Sequence, residues 1–527
     1  MARSLARRLI LTGTLRAIDP LHVGSADDGL EVDMPLSMNG QGRYYIPGTS
    51  LTGALREWAR GHVGDEDGPT SLWGGIQWGS DVGSASRIIV DDAVARGDPV
   101  PEVWHGNGID RQYGVAATRV KYERMVLPRG TQFSFCVRLD ASNDAMADEG
   151  RALLWHLKTA LERREIGIGA GSTRGLARVE LLEAQCREQD WTSRTGVLAV
   201  LRRESDGADK ELWSQAAAVR PVNSRTLTVR VHWQPKGPLM VMAGQDGLAV
   251  DMLPLMSADG AKLRLVLPGS SIKGVLRAQA ERIVRTVLGL GAEGWESVRV
   301  GERHLAQLDA PIVTDLFGHA RGKKIKKGGE SAVSLDSGAR GWLGIGSCYS
   351  SNVAIDRNDW DWLASAKGGE SADIHGTFGQ RLGQRIPGFE QAFHVAVDRW
   401  TAAPVDGALY SAIEPYGVEW EPIELRLRLG REGSDGVTDE VAATLLFAVM
   451  RDWCEGWLKF GFGANRGYGT VEVSMIEWQW QDESGQTRVV QSKQSADDRF
   501  DFGEIGDRLE TWKRAWSQWM DQQTSGA

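Results

Sequence analysis

Apolar and polar residues alternate along LILTGTLRAI (9–18) and again along LTVRVHWQP (227–235), the period-two pattern of a strand buried on one face. Beyond each strand the period lengthens. Leu51, Ala54, Leu55 and Trp58 recur at helical spacing, and Ile272, Val275, Leu276, Ala280 and Ile283 repeat that stripe. Leu154, Leu157 and Leu161 mark a second helix, answered by EVAATLLFAVMRDWCEGWLKF (440–460). Each second helix runs into a Gly-rich segment and a last strand. Strand, loop, helix, strands, helix, Gly-rich loop and strand, met twice, predict an α+β fold of two tandem ferredoxin-like domains.

The two halves also share words. IPGTSLTGALR (46–56) is answered by LPGSSIKGVLR (267–277), and DGLEVDMPLSM (28–38) by DGLAVDMLPLM (246–256). GIGAGSTRGLARVE (167–180) is answered by GFGANRGYGTVEV (461–473). Three motifs in one order, twice, are the signature of a tandem duplication. Asp33 and Asp251 are 218 positions apart but Pro47 and Pro268 are 221 apart, so the second copy gains three residues between these motifs. The Asp-x-Pro of the first copy becomes Asp251-Met252-Leu253-Pro254, which leaves the register of Asp251 open. The first Gly-rich loop reads as two residues longer, with Leu176 where the second has Tyr468. The expected organisation is a first domain over 1–185, a linker over 186–225, a second domain over 226–475 and a tail over 476–527. The second domain is longer, and its excess is expected in a Gly-, Ser- and Lys-rich insertion near 320–392. The tail reads as an amphipathic helix with Trp512, Trp516 and Trp519 on one face.

Charge and cysteine content narrow the setting. The chain of 527 residues carries a net charge of −9, which argues mildly against a free-standing nucleic-acid binder, although RGKKIKKGG (321–329) is locally basic. Cys136, Cys186, Cys348 and Cys454 are scattered, with neither a zinc-knuckle spacing nor a disulfide framework, as in a reducing cytoplasm. No apolar run is long enough to span a membrane, and the basic N-terminus reads as a strand, not as a signal peptide.

The chemistry concentrates in the repeated motifs. A Pro-Gly-Ser/Thr-Ser turn opening a helix aims free N–H groups and the positive dipole end outward, with Thr49, Ser50, Ser270 and Ser271 as added donors. Ser50 and Ser271 stand where an N-cap belongs. Arg56, Arg277 and Lys273 follow on the same helices. This is a phosphate site in kind, the alternative being an ordinary capped helix with a solvated Arg. The Gly-rich loops, with Arg174 and Arg466 embedded, suit a backbone pressed against a polyanion. Asp33 and Asp251 stand in apolar frames before the phosphate-type turns. A carboxylate beside a phosphodiester must bind a metal or take a proton; the alternative is a turn-forming Asp bonded to its own backbone. The histidines do not repeat between the halves, which argues against a histidine base.

Together these residues resemble the repeat-associated (RAMP) superfamily of CRISPR systems, and more closely the backbone subunits of type III effector complexes. LWGG (72–75) and LFGH (316–319) resemble the family's aromatic-Gly motif. GIDRQYGVAATRVKYERMVLPRGTQF (108–133) and VAVDRWTAAPVDGALYSAIEP (395–415) resemble the segment holding its thumb hairpin. The resemblance implies RNA contacts from Thr49, Ser50, Arg56 and Arg174 in the first domain. In the second it implies contacts from Ser270, Ser271, Lys273, Arg277 and Arg466. It implies a guide RNA, a complementary target RNA and other effector subunits as partners. It further implies target cleavage at Asp33 and Asp251, each holding a divalent ion, Mg2+ or Mn2+. The competing readings are a nuclease-inactive scaffold, a guide-processing endonuclease of the same superfamily, and an interaction module that binds no RNA.

Overall fold

The leucines of the first alternating run all face inward. In β1 (Arg7–Ala17), Leu9, Leu11 and Leu15 are fully buried. The computed structural model describes residues 4–25, 32–63, 71–76, 83–111, 113–117, 120–203, 210–219, 226–244, 250–291, 307, 310–319, 325–327, 330–332, 338–365, 379–431, 433, 436–481, 486–494 and 500–525. The DGL stretches of the Asp motifs (28–30 and 246–248) and most of the basic run lie outside them. The chain forms two compact units. Unit 1 comprises Met1–Val103, Arg124–Ser172 and Leu176–Ser224; unit 2 comprises Trp104–Glu123, Thr173–Gly175 and Arg225–Ala527.

In unit 1, β1 leads to α1 (Gly48–His62) and then β2 (Ile88–Val90). A hairpin of β3 (Glu102–Gly106) and β4 (Tyr122–Val126), whose residues 104–123 group with unit 2, precedes β5 (Gln132–Ala141), α2 (Asp144–Glu162) and β6 (Val179–Asp190). The sheet runs β6-β1-β5-β2, antiparallel throughout. Leaving out the hairpin, this is the fourth-first-third-second order of a ferredoxin-like sheet, as the sequence pattern predicted. Asn143 caps α2 by accepting the Met146 N–H at 2.8 Å.

The stretch expected to be a linker is part of this domain. β6 runs on to Asp190, and α3 (Arg194–Leu201) and α4 (Lys210–Val219) follow. Trp213 of α4 has no exposed surface and lies in the same core as Leu153, Leu154 and Leu157 of α2. A tryptophan that size brings more apolar area than a connector could leave in water.

Unit 2 repeats the plan with β7 (Thr226–Pro235), α5 (Gly269–Val287), β8 (Leu343–Ile345), β9 (Phe389–Val397) and β10 (Pro404–Pro415). It continues with β11 (Ile423–Arg428), α6 (Asp439–Cys454), β12 (Val471–Gln481), β13 (Thr487–Gln494), β14 (Phe500–Asp501) and α7 (Gly506–Ser525). Its sheet runs β8-β11-β7-β12-β13-β14. The first four strands match those of unit 1, and the pairings β1–β6 and β7–β12 each carry a bulge. The expected tail is therefore structural: it adds two strands to the sheet and buries Trp512 and Trp519 of α7 in the core with Leu446 and Val449 of α6.

The expected insertion is also partly integral. β8 is the counterpart of β2: an added Cβ at Gly48 would lie 2.4 Å from the Val90 carbonyl oxygen, and one at Gly269 would lie 2.6 Å from that of Ile345. The hairpin of Ile325–Lys327 and Glu330–Ala332 and the helices Arg357–Ser365 and Gly379–Arg385 are what this stretch adds to the common plan. Among the described residues no helix is long and apolar enough to cross a membrane. Truncating Trp213 to Ala should destabilise unit 1 by about 3–5 kcal/mol, read as an earlier unfolding midpoint in urea. An unchanged midpoint would restore the linker reading of 186–225.

Candidate nucleic-acid interface

Asp33 and Asp251 occupy matching positions. The Met125 N–H donates to the Met34 carbonyl at 3.0 Å, and the Ile413 N–H donates to that of Met252 at 3.0 Å. Met34 bridges Arg124, and Met252 bridges Ala412, in parallel. The match extends past the altered proline. Ser25 bonds Pro35 as Ala243 bonds Leu253, and Ser37 bonds Val23 as Leu255 bonds Val241. Leu253 thus takes the place of Pro35, and the register of Asp251 is unshifted; the three added residues come later. Both aspartates are exposed. Asp251 Oδ2 accepts from the Ser411 N–H at 2.7 Å and from its hydroxyl at 3.0 Å. One residue before the bridge, the first repeat has Glu123 where the second has Ser411.

The helix starts differ from the capped turns read in the sequence. Pro47 and Pro268, not Ser50 and Ser271, are the N-cap residues, and neither helix has a side-chain cap. The Gly48 N–H donates to Asp92 Oδ1 at 2.7 Å and the Gly269 N–H to Ser347 Oγ at 3.1 Å, so each first donor is already used. Thr49 and Ser270 are exposed, and Ser50 and Ser271 are half-buried. Arg56 donates to the Gly74 carbonyl at 2.9 Å, and Arg277 to that of Gly318 at 2.6 Å. The same helix position thus fastens the aromatic-Gly turn in both repeats. Arg277 also bonds Glu281 at 2.7 Å.

Lys273 is a correction. It is buried, and its Nζ donates to the carbonyls of Thr173 (3.1 Å) and Leu343 (2.9 Å). Burial, then the nearby guanidiniums, holds its pKa well below the usual lysine value, so it does not serve as a surface contact to phosphate. The Gly-rich loops are equal in length, contrary to the sequence reading. Ile168 and Phe460 donate to Ala177 and Gly469, and Leu176 and Tyr468 donate to Gly171 and Gly463. Gly169 and Gly461 have φ of 96° and 79°, and an added Cβ would lie 2.4 and 2.3 Å from the carbonyl oxygens of His22 and Met240. Arg174 and Arg466 are both exposed. Arg174 groups with α5, however, not with Ser50 and Arg56: within unit 2 the Ser347 hydroxyl donates to the Gly175 carbonyl at 2.7 Å beside Gly269.

A polar cluster in unit 2 went unseen in the sequence. Glu414 on β10, only 3% exposed, accepts from the hydroxyls of Tyr416 (2.8 Å) and Tyr468 and lies 3.0 Å from His394 Nε2. The His394 ring stacks on Tyr410, centroids 5.0 Å apart, and Arg466 donates to the Tyr410 hydroxyl with its guanidinium over Phe462. Burial and then Glu414 push the Tyr468 hydroxyl up, while the hydrogen bond to Glu414 takes Tyr416 to about 12. In the first repeat these positions hold buried Val126 and Leu176. The Leu176–Tyr468 difference was the available signal; its partner Glu414 is distant in sequence. Nearby in unit 1, burial lowers the pKa of His22, whose Nδ1 lies 2.7 Å from the Met125 carbonyl oxygen.

Among the described residues no cluster of three or more His, Cys, Asp and Glu side chains could hold a metal ion. Asp33 or Asp251 fits a divalent ion only if phosphate oxygens and water complete its shell, as Mg2+ permits. Glu414→Val should cost about 1–3 kcal/mol by stranding the hydroxyl of buried Tyr468. Adding Tyr468→Leu, which completes the first repeat's apolar pair, should recover about 1 kcal/mol or more in a double-mutant cycle followed by chemical denaturation. Simple additivity would show that the cluster is not a unit.

No curated protein matches the chain. The family model described as the RAMP superfamily matches residues 14–180 and 254–472, one span in each repeat and together well over half of the sequence. The shared sheet order, the equal Gly-rich loops and the unshifted aspartates are what two copies of one ancestral domain require, and the chain belongs to the RAMP superfamily.

Proposed function

We propose that this chain is a guide-RNA-binding backbone subunit of a type III CRISPR effector complex and that it cuts complementary target RNA at two regularly spaced positions. The observation that carries this reading is the pair of exposed carboxylates, Asp33 and Asp251, held in one hydrogen-bond register by two ferredoxin-like domains. Base pairing with the guide selects the target, so the protein needs only contacts to backbone and shape. Arg174, Arg466, Thr49 and Ser270 are the exposed candidates for guide phosphates. Ser50 and Ser271 support them from half-buried positions, and Arg56 and Arg277 secure the turns behind them.

In the cleavage step the 2′-hydroxyl of a splayed target nucleotide attacks the adjacent phosphorus in line. The bond to the 5′-oxygen breaks, leaving a 2′,3′-cyclic phosphate and a 5′-hydroxyl. Asp33 and Asp251 would each hold a divalent ion, which would supply charge neutralisation. Hydrogen bonds from the Ser411 N–H and hydroxyl to Asp251 Oδ2 orient that carboxylate, which supports this reading.

In the assembled complex with a matched RNA, Asp33→Ala should remove one cut and Asp251→Ala the other, each by about 100-fold or more. Chelation of divalent ions should stop both while the guide stays bound. Cutting that persists in both variants overturns the site assignment. Guide binding with no cut in the unmodified complex supports the inactive scaffold, and cutting of precursor RNA by the chain alone supports a processing endonuclease.

A further inference from the structure

Only glycine fits at position 244. An added Cβ there would lie 1.9 Å from His105 Cδ2, 2.0 Å from Cγ and 2.4 Å from Nδ1, so the imidazole packs directly on the Gly244 backbone. His105 stands on β3 of the first thumb hairpin, but residues Trp104–Glu123 group with unit 2, as Gly244 does. The Ala243 N–H donates to the Leu253 carbonyl at 2.8 Å, and Met242 bridges Pro254 in antiparallel register. One step along that register sets Gly244 opposite Met252, beside Asp251. Residues so opposed have Cα atoms about 5 Å apart. The first repeat has no glycine to match: Ser25 answers Ala243, and Ala26 follows it where Gly244 follows Ala243.

The ring is also oriented. Nδ1 is buried and lies 3.3 Å from Glu123 Oε1 across the hairpin. A carboxylate at that distance favours the proton on Nδ1, which leaves the Nε2 lone pair available. Among the described residues Nε2 has no hydrogen-bond partner, and it is not shut off from solvent. The histidine of the second hairpin is differently placed. His394 Nε2 lies 3.0 Å from Glu414 Oε1 and 2.9 Å from the Tyr468 hydroxyl, and the ring stacks on Tyr410. Ser411, which holds Asp251, pairs with Phe393, so His394 turns to the opposite face of its hairpin. That histidines do not repeat between the halves speaks against a base common to both sites, not against one supplied to Asp251 alone.

We infer that His105 is the general base of the cut assigned to Asp251. Nε2 takes the proton of the target 2′-hydroxyl as that oxygen bonds to phosphorus. The bond to the 5′-oxygen breaks with its electron pair, and the departing oxygen takes a proton from water. Glu123 is a positioning residue: it holds the ring and balances the charge of the imidazolium, which then returns its proton to solvent. The inference rests on the proposed function and makes the two cuts chemically unequal, because the seat for the ring is the glycine of the Asp251 loop.

The test follows both cuts on one matched RNA in single-turnover reactions with the assembled complex in excess. His105→Gln and His105→Gly should each slow the Asp251 cut by about 100-fold, with target affinity and the Asp33 cut unchanged. Free imidazole should speed the Asp251 cut of His105→Gly by about 10-fold or more, because that variant leaves the seat open, and should not restore Asp251→Ala. A ring with a merely structural role would not respond to imidazole. Full-rate cutting by His105→Gln overturns the inference. So does equal slowing of both cuts, weaker target binding in place of slower cutting, or His105→Gly that imidazole does not rescue. Absence of an Asp251-dependent cut from the unmodified complex sinks the functional reading at this site and the base with it, whereas two normal cuts with an indifferent His105 sink only the base.

Discussion

A methyl group at Gly48 would fall 2.4 Å from the Val90 carbonyl oxygen, and one at Gly269 would fall 2.6 Å from that of Ile345. Only glycine lets the first helix of each repeat begin directly against the edge strand of its sheet. The rest of the interface follows from this contact. With the helix start pinned, Arg56 and Arg277 reach the carbonyls of Gly74 and Gly318. Thr49 and Ser270 are left facing solvent. A Pro-Gly turn that reads as a loop for binding is first a loop for packing, and its exposed hydroxyls are what packing leaves over.

The repeats diverge where equivalent positions face different demands. Ser347 of the second repeat gives its hydroxyl to Gly175 while accepting from Gly269; the first repeat has Asp92 in that role, which can only accept. Glu414, His394, Tyr416 and Tyr468 form a polar cluster where the first repeat has Val126 and Leu176. Buried polar groups are tolerated only as complete sets, so these residues had to change together. The outcome is a second repeat whose Gly-rich loop is tied by hydrogen bonds to its thumb hairpin, through Tyr468 to Glu414 and through Arg466 to Tyr410.

The net negative charge of the chain is compatible with a phosphate-binding surface, because the basic residues divide by task. Lys273, Arg111 and Arg277 are drawn into unit 2, where they satisfy carbonyls and the Glu281 carboxylate. Arg174, Arg466 and Arg399 remain at the surface. Counting charges along the chain mixes these two populations, whereas burial separates them.

Period-two and helical spacing were sufficient to place the first strand and the two main helices of each repeat, since each element must turn its apolar side to a shared core. The duplicated words likewise located Asp33 and Asp251 as equivalent. What the chain alone did not decide was which contacts each motif makes. The absorption of 186–225 and 476–527 into the cores depends on Trp213, Trp512 and Trp519 finding partners that are distant in sequence. Lys273 turned inward because carbonyls at 173 and 343 awaited it, and Arg174 joined α5 because Gly175 fits against Gly269. Local pattern fixes which face of an element is apolar; long-range packing alone assigns a polar side chain to solvent, to a neighbour or to the interior.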